Sequence, residues 1–287
     1  MKAASAKNFV TFDVEEWYSA NYASVDASQC DDSAGHLEKN VDRLLEICAQ
    51  HSIKATHFIV GDIATNKPHI VKKIHRAGHE IASHSYRHEM VFRMTPAEFK
   101  EDLRVSCDLL GQITGEKVLG FRAPSWSVNK DTLAWFYPIL HEQGLLYSSS
   151  VFPGKTFLYG IPGFPEFIHQ PVIDGIKQPV WEIPQTLFSV LGKKFGFSGG
   201  FYLRVLPGWF VSNQLKSKNK MGKSVFLYLH PREIDPASPR LTLPFVESMI
   251  HYYGVNGCES KFSKIAGKFK GTFVRMDDFI KSLNPAG

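Results

Sequence analysis

The feature that most limits the folds open to this chain is a repeated unit. A short apolar run ends in polar residues, and an amphipathic stretch at helical spacing follows it. Residues 8–12 form the first run, closed by Asp13, Glu15 and Glu16. Leu37, Val41, Leu44, Leu45 and Cys48 then recur at helical spacing and predict a helix over 36–51. A second run spans 55–60 and stops at Gly61; Pro68, Ile70, Val71 and Ile74 mark the next helix, with Gly78 as its expected C-cap. A third run covers 79–83. Thr95, Pro96 and Glu98 make a helix start with a capping box, and Gly115 ends that helix after Thr114. Further strands are expected at 118–121, 145–149, 180–183, 225–229 and 272–275, with helices at 130–143 and from Asp277 onward. Alternation at this pace predicts a parallel sheet covered by helices, in a β/α barrel whose site lies at the C-terminal ends of the strands. Residues 151–179 are rich in Pro, Gly and Phe and read as a long ordered loop over that site.

A chain of 287 residues suits one such barrel, expected as a single domain over 1–287. With 44% apolar and 21% charged residues it can bury a large core without disulfides or a structural metal. The net charge of +5 is dispersed, and no concentrated basic stripe or reading motif marks a nucleic-acid binder. The densest basic stretch, Lys216, Lys218, Lys220 and Lys223, reads as a solvated turn; the sharper reading is a rim that attracts phosphate-bearing substrates or an anionic membrane surface. The cysteines at 30, 48, 107 and 258 have no C-x-x-C spacing, and free thiols suit a reducing compartment. No apolar signal segment precedes residue 8, and no run reaches the roughly 18 apolar residues of a membrane span. A cytoplasmic enzyme acting on precursors is therefore the expectation. Nothing in the sequence signals an oligomeric state.

Three polar clusters at run ends carry the chemistry. In the first, Asp13 and Glu15 point the same way in an extended chain, and two converging carboxylates repel unless a cation lies between them or one is protonated. In the second, His84 and His88 stand four apart, a spacing from which one helical turn reaches a single metal. Two imidazoles and one carboxylate form a common catalytic zinc set that leaves a place for water. The third cluster is split between Arg122 with Trp126 and His230, each just past a run. Alone, these are ordinary residues; their shared placement is the signal.

The ordered set Thr11-Phe12-Asp13, His84-Ser85-x-x-His88, Arg122-x-Pro124-x-Trp126 and Leu229-His230 resembles the NodB-homology polysaccharide deacetylases, carbohydrate esterase family 4, over about residues 9–235. The stretches 12–16, 78–84, 120–125, 182–184, 199–204 and 228–231 are similar to a subgroup tied to bacterial exopolysaccharide and O-antigen biosynthesis. The resemblance implies a distorted (β/α) barrel of about seven parallel strands with a divalent metal, usually zinc. By motif, His84 and His88 would ligate the metal, Asp13 would be the general base, Arg122 would orient Asp13, and His230 would be the general acid. Trp126 would wall the substrate groove. Trp17 and Tyr202, beside Tyr18 and Phe201, add aromatic faces suited to a sugar, and Arg204 completes the substrate-contact candidates.

Two positions depart from the family pattern. Where the commoner pattern has a second, metal-binding aspartate, this chain has Val14, and Glu15 becomes the substitute ligand; an exchange of roles between Asp13 and Glu15 stays open. Ser148 stands where subgroup relatives often carry an aspartate that tunes the acid histidine. The reaction implied is hydrolysis of an N-acyl group, first of all acetyl, on a nucleotide- or lipid-linked amino sugar. Deformylation, cyclic-amide opening and a catalytically inactive sugar-binding module are the alternatives.

Overall fold

The computed structural model describes residues 6–22, 25, 30–156 and 159–283. Its main sheet has seven strands: β1 (Phe9–Val14), β2 (Thr56–Ile59), β3 (Glu80–Ser83), β4 (Gly120–Phe121), β5 (Tyr147–Ser148), β6 (Trp181–Glu182) and β7 (Phe226–Leu229). They pair in the order β7-β1-β2-β3-β4-β5-β6, all parallel. Among the described residues β6 and β7 share no ladder, so the barrel stays open as a half-barrel. The expected 272–275 strand does not form. From Phe9 onward β1 is flanked by β7 and from Thr11 by β2, so this run finds only the residue before β1. There it makes one parallel bridge, Asn8 to Phe273, with N···O distances of 2.9 Å on both sides.

Helices α1 (His36–Gln50), α2 (Gly61–Asn66), α3 (Pro68–Arg76), α4 (Pro96–Thr114) and α5 (Leu133–Glu142) cover the outer face. In α1, Leu37, Val41, Leu44, Ile47 and Cys48 form one buried stripe, as the 3.6-residue period requires. The Thr95–Glu98 capping box starts α4, and Gly115, at φ 75°, ends it in the left-handed conformation that glycine adopts without strain. The later part of the chain adds α6 (Gly200–Val205), α7 (Gly208–Lys220), α8 (Phe245–Tyr252), α9 (Val255–Lys268) and α10 (Met276–Leu283).

Strand alternation sorts β1 into two faces. Val10, Phe12 and Val14 join the core under the helices, whereas Phe9 joins a second cluster inside the barrel with Phe58, Trp126, Tyr147 and Phe226. Residues 151–179 do not lie over the C-terminal end of the sheet as a whole. They carry a small hairpin (Val172–Ile173 with Ile176–Lys177), and Glu166, Phe167 and Ile168 share a cavity with Phe9 and Phe226, the first residues of β1 and β7. The Lys216–Lys223 stretch is at the same N-terminal end. Lys223 lines that cavity, and Asn219 is hydrogen-bonded to Asn8.

Candidate active site

The inner face of β1 supplies the acids. Thr11, Asp13 and Glu15 follow Phe9 at the two-residue period, so all are on the barrel side, while Val14 packs toward the helices. In this chain the residue directly after Asp13 therefore faces the helix layer, and Glu15 is the next on the barrel side.

His84 directly follows β3 and is buried; its Nδ1 lies 2.7 Å from the Arg122 carbonyl oxygen. That contact requires Nδ1–H to donate, which leaves the Nε2 lone pair available. Burial, ahead of the opposing pull of Asp13, brings the His84 pKa down to about 4 and keeps the ring neutral. His88 reaches the same place through a loop, not the single helical turn that the spacing suggested. Ser85 and His88 adopt positive φ angles of 68° and 58°. Asp102, from the middle of α4, holds the loop: its carboxylate accepts from Ser85 Oγ at 2.7 Å, Tyr86 N at 2.8 Å and Arg87 N at 3.1 Å. Gly61 is needed opposite, because a Cβ there would lie 2.9 Å from the Tyr86 Cα.

The ligand atoms of Glu15, His84 and His88 all fall within 4.8 Å of one another. His88 Nε2 is 2.7 Å from Glu15 Oε2, and Arg232 pairs with Glu15 Oε1. Burial raises the Glu15 pKa, but His230, His88 and Arg232 outweigh it and hold the carboxyl well below its ordinary value. Two imidazoles and an ionised carboxylate, convergent and with Glu15 and His84 buried, are a donor set that fits a divalent transition metal such as zinc.

Beside this triad, Asp13 is fixed by one oxygen. Arg122, fully buried, donates from Nη1 to Asp13 Oδ1 at 2.6 Å and to Thr11 Oγ1 at 2.9 Å. Its guanidinium lies 4.0 Å from the Phe58 ring centroid and 5.0 Å from that of Trp126, a packing that keeps water from the ion pair. The other oxygen, Asp13 Oδ2, lies 3.9 Å from His230 Nε2. His230 is oriented by Glu233, whose Oε2 accepts from the His230 backbone N at 2.9 Å and contacts Nδ1 at 3.1 Å. Burial and Arg232 oppose the charged imidazole, yet Glu15 and Glu233 prevail and raise the His230 pKa.

These groups lie in a cleft of about 640 Å³ that Trp126, Tyr159, Phe201 and Tyr228 also line. Of the residues expected to touch substrate, Trp126 is in its wall. Trp17 is not; it is buried with its indole N–H 3.3 Å from the Asp31 carbonyl oxygen. Tyr202 also lies outside the lining, packed against Gly196 of a hairpin. Arg204 lines the cleft but is nine-tenths buried and already committed. Its Nε donates to Glu233 at 2.9 Å, and its Nη atoms donate at 2.5 Å to the Tyr253 and Ile250 carbonyls. Ser148 makes no approach to His230; its hydroxyl donates to Ser150 Oγ at 2.8 Å, and Glu233 provides the carboxylate that the family pattern led one to seek there. Glu233, Asp102 and Arg232 escaped the sequence reading. Glu233 had a signal, a capping-box spacing three residues after His230; Asp102, mid-helix, had none.

Residues 24–136 match the family model for polysaccharide deacetylases, and residues 149–281 match a model described as a domain of unknown function, DUF3473. Residues 24–136 are thus similar to the polysaccharide deacetylase family. The chain is 27% identical over 139 residues to a peptidoglycan-N-acetylglucosamine deacetylase of Bacillus cereus, covering 47% of this chain and 50% of that one. To a peptidoglycan deacetylase of Helicobacter pylori it is 30% identical over 114 residues, covering 40% and 38%. The chain thus spans half or less of the length of these two relatives. The whole deacetylase fold is nonetheless present. A crystal structure described as a polysaccharide deacetylase of Mycobacterium smegmatis superposes with a TM-score of 0.65 at 19% identity, covering 99% of this chain and 93% of that one.

Proposed function

We propose that this protein is a zinc-dependent hydrolase that removes an N-acyl group, acetyl first of all, from an amino sugar during assembly of a bacterial surface polysaccharide. The observation that carries the reading is the meeting of three groups on one cleft floor. They are the Glu15–His84–His88 triad, the Arg122–Asp13 pair and the Glu233–His230 pair. The family match of residues 24–136 and the deacetylase relatives support the reaction class. When bound to Glu15, His84 and His88, the metal supplies Lewis-acid chemistry: it polarises an acyl carbonyl and brings the pKa of water toward about 7.

The chain's own groups then divide the protons. Arg122 holds Asp13 Oδ1, so Asp13 Oδ2 is the oxygen that takes a proton from the attacking water. Glu233 holds His230 at Nδ1, which directs Nε2–H into the cleft. That proton goes to the amide nitrogen as the C–N bond breaks, so the products are a free amine and a carboxylate. Each transfer contributes roughly 100- to 10,000-fold. Trp126, in the wall, offers a flat face to the sugar ring.

Cys48, Cys107 and Cys258 are free thiols, which suits a reducing compartment and a nucleotide- or lipid-linked precursor as substrate. Among the described residues no helix is long and apolar enough to cross a membrane. The test is incubation of the zinc-loaded protein with nucleotide- and lipid-linked N-acetyl and N-formyl amino sugars, read by NMR. Release of acetate is expected. A metal-loaded, folded protein that releases neither acetate nor formate from any of them would overturn the enzyme reading in favour of a sugar-binding module.

A further inference from the structure

Next to the catalytic cleft, and sharing Arg204, Arg232 and His251 with it, is a second cavity of about 390 Å³. Its remaining walls come from Val205, from residues within 235–240, from the end of α8 and the turn after it, and from the first turn of α9. The cations there are not all paired. Arg204 is neutralised by Glu233 and Arg232 by Glu15. The oxygens of Asp235, the acid in the lining, are taken up by His36 at 2.7 Å, Asn40 at 3.0 Å and the Ala237 N–H at 2.9 Å. Arg240 has no carboxylate partner among the described residues; its guanidinium stacks 4.1 Å over the Tyr252 ring.

The backbone adds to the excess of donors. Gly254 turns into α9 with φ 78°, no side chain caps the helix, and no acid stands in its first turn. Val255, Asn256 and Gly257 of that turn line the cavity. The N-terminus of a 14-residue helix presents backbone N–H groups and the positive end of the helix dipole. His251, 94% buried by its 6% exposure, also lines the cavity, and its Nδ1 has no hydrogen-bond partner. Lys216–Lys223, by contrast, sits at the far end of the sheet and cannot reach a ligand in the cleft.

We propose that this cavity binds a phosphate group carried by the substrate, with Arg240 and the first-turn N–H groups of α9 as donors, while the acylated sugar occupies the adjoining cleft. A tetrahedral dianion can engage the planar guanidinium and the helix terminus together, and the shared wall sets the two groups side by side. The link between the cavities rests on the deacetylase reading; the anion site itself does not.

Two variants test the site without touching the catalytic groups. Arg240→Ala removes the unpaired cation. Gly257→Glu places a carboxylate in the first turn of α9, where a Cβ meets open space and an acid suits the dipole, so the fold should hold. Isothermal titration with inorganic phosphate should show saturable binding to the full chain, weakened about fivefold or more by Arg240→Ala and lost in Gly257→Glu. Equal phosphate affinity in all three proteins would overturn the proposal. For source, Gly257→Glu should raise the KM for N-acetylglucosamine 1-phosphate while leaving kcat, and turnover of an uncharged N-acetyl oligosaccharide, unchanged. An unaltered KM would overturn the substrate-borne assignment. Variant-sensitive phosphate binding with no hydrolysis of either sugar would support the anion site and count against the deacetylase reading.

Discussion

Replacing Glu233 by Gln tests the least expected part of the site. Three donors converge on this buried carboxylate: His230 N at 2.9 Å, His230 Nδ1 at 3.1 Å and Arg204 Nε at 2.9 Å. Burial alone would raise its pKa, but His230 and Arg204 keep it ionised, far below the usual carboxylate range. Gln has the same shape but one acceptor oxygen, and its amide N–H groups would face either Arg204 or the histidine. Whichever is left, a buried cation or a ring N–H loses its acceptor. Breaking a buried pair from one side costs about 3–5 kcal/mol, and the surviving amide oxygen keeps the loss near the lower figure. For 287 residues, an unfolding entropy of about 0.6 kcal/mol/K turns that into a fall in Tm of about 5 °C. In catalysis the histidine loses its orientation, so kcat should drop about 10- to 100-fold while KM and metal content hold, since Glu233 is not among the metal-site groups. Differential scanning calorimetry, steady-state kinetics and metal analysis read the three effects separately. A kcat within about twofold of wild type would refute the claim that Glu233 orients His230 as the acid.

Metal analysis decides the roles around β1. His88→Ala should lose most bound zinc and nearly all activity with the fold intact; full occupancy would remove His88 from the ligand set. Glu15→Gln should lose metal affinity and Asp13→Asn should keep metal but lose turnover, and the reverse pattern would exchange the two acids. Acid stability provides an independent check on the core. Burial, then Lys54 and Arg275, bring the pKa of His79 down to about 4, and its Nδ1 accepts the Ala55 N–H at 2.9 Å. The unfolded chain therefore binds a proton that the native state refuses between pH 6.5 and 4. Stability from this group is present above pH 6.5 and is lost as pH falls toward 4. In denaturant titrations His79→Gln should flatten that loss; an unchanged slope would show that His79 is not its source.

What the sequence made legible follows from what strands and helices impose locally. An apolar run closed by polar residues says where a parallel strand ends, and parallel strands end on one rim, so Asp13, His84, Arg122 and His230 could be gathered without knowing a single distance. The two-residue period also sets Asp13 and Glu15 on one face, since alternate positions of β1 face the barrel. Residues that act through tertiary contacts left no such trace. Asp102 reads as one more polar position of α4 until the fold places the His84–His88 loop over it. Trp17 and Tyr202 are aromatic neighbours of motif residues in the sequence. Nearness in sequence does not fix which side of a loop or a short helix a ring occupies, and both rings turned away from the cleft. Arg204 marks the boundary between the two kinds of evidence. Its position beside the cleft was legible, but its use was not, because a buried guanidinium goes first to the partner that offsets its desolvation, and that partner is Glu233. Among the described residues that line the second cavity, Arg240 is the cation without a carboxylate partner, and it stands beside the cleft as the lysines of α7 do not, so the phosphate site is placed there.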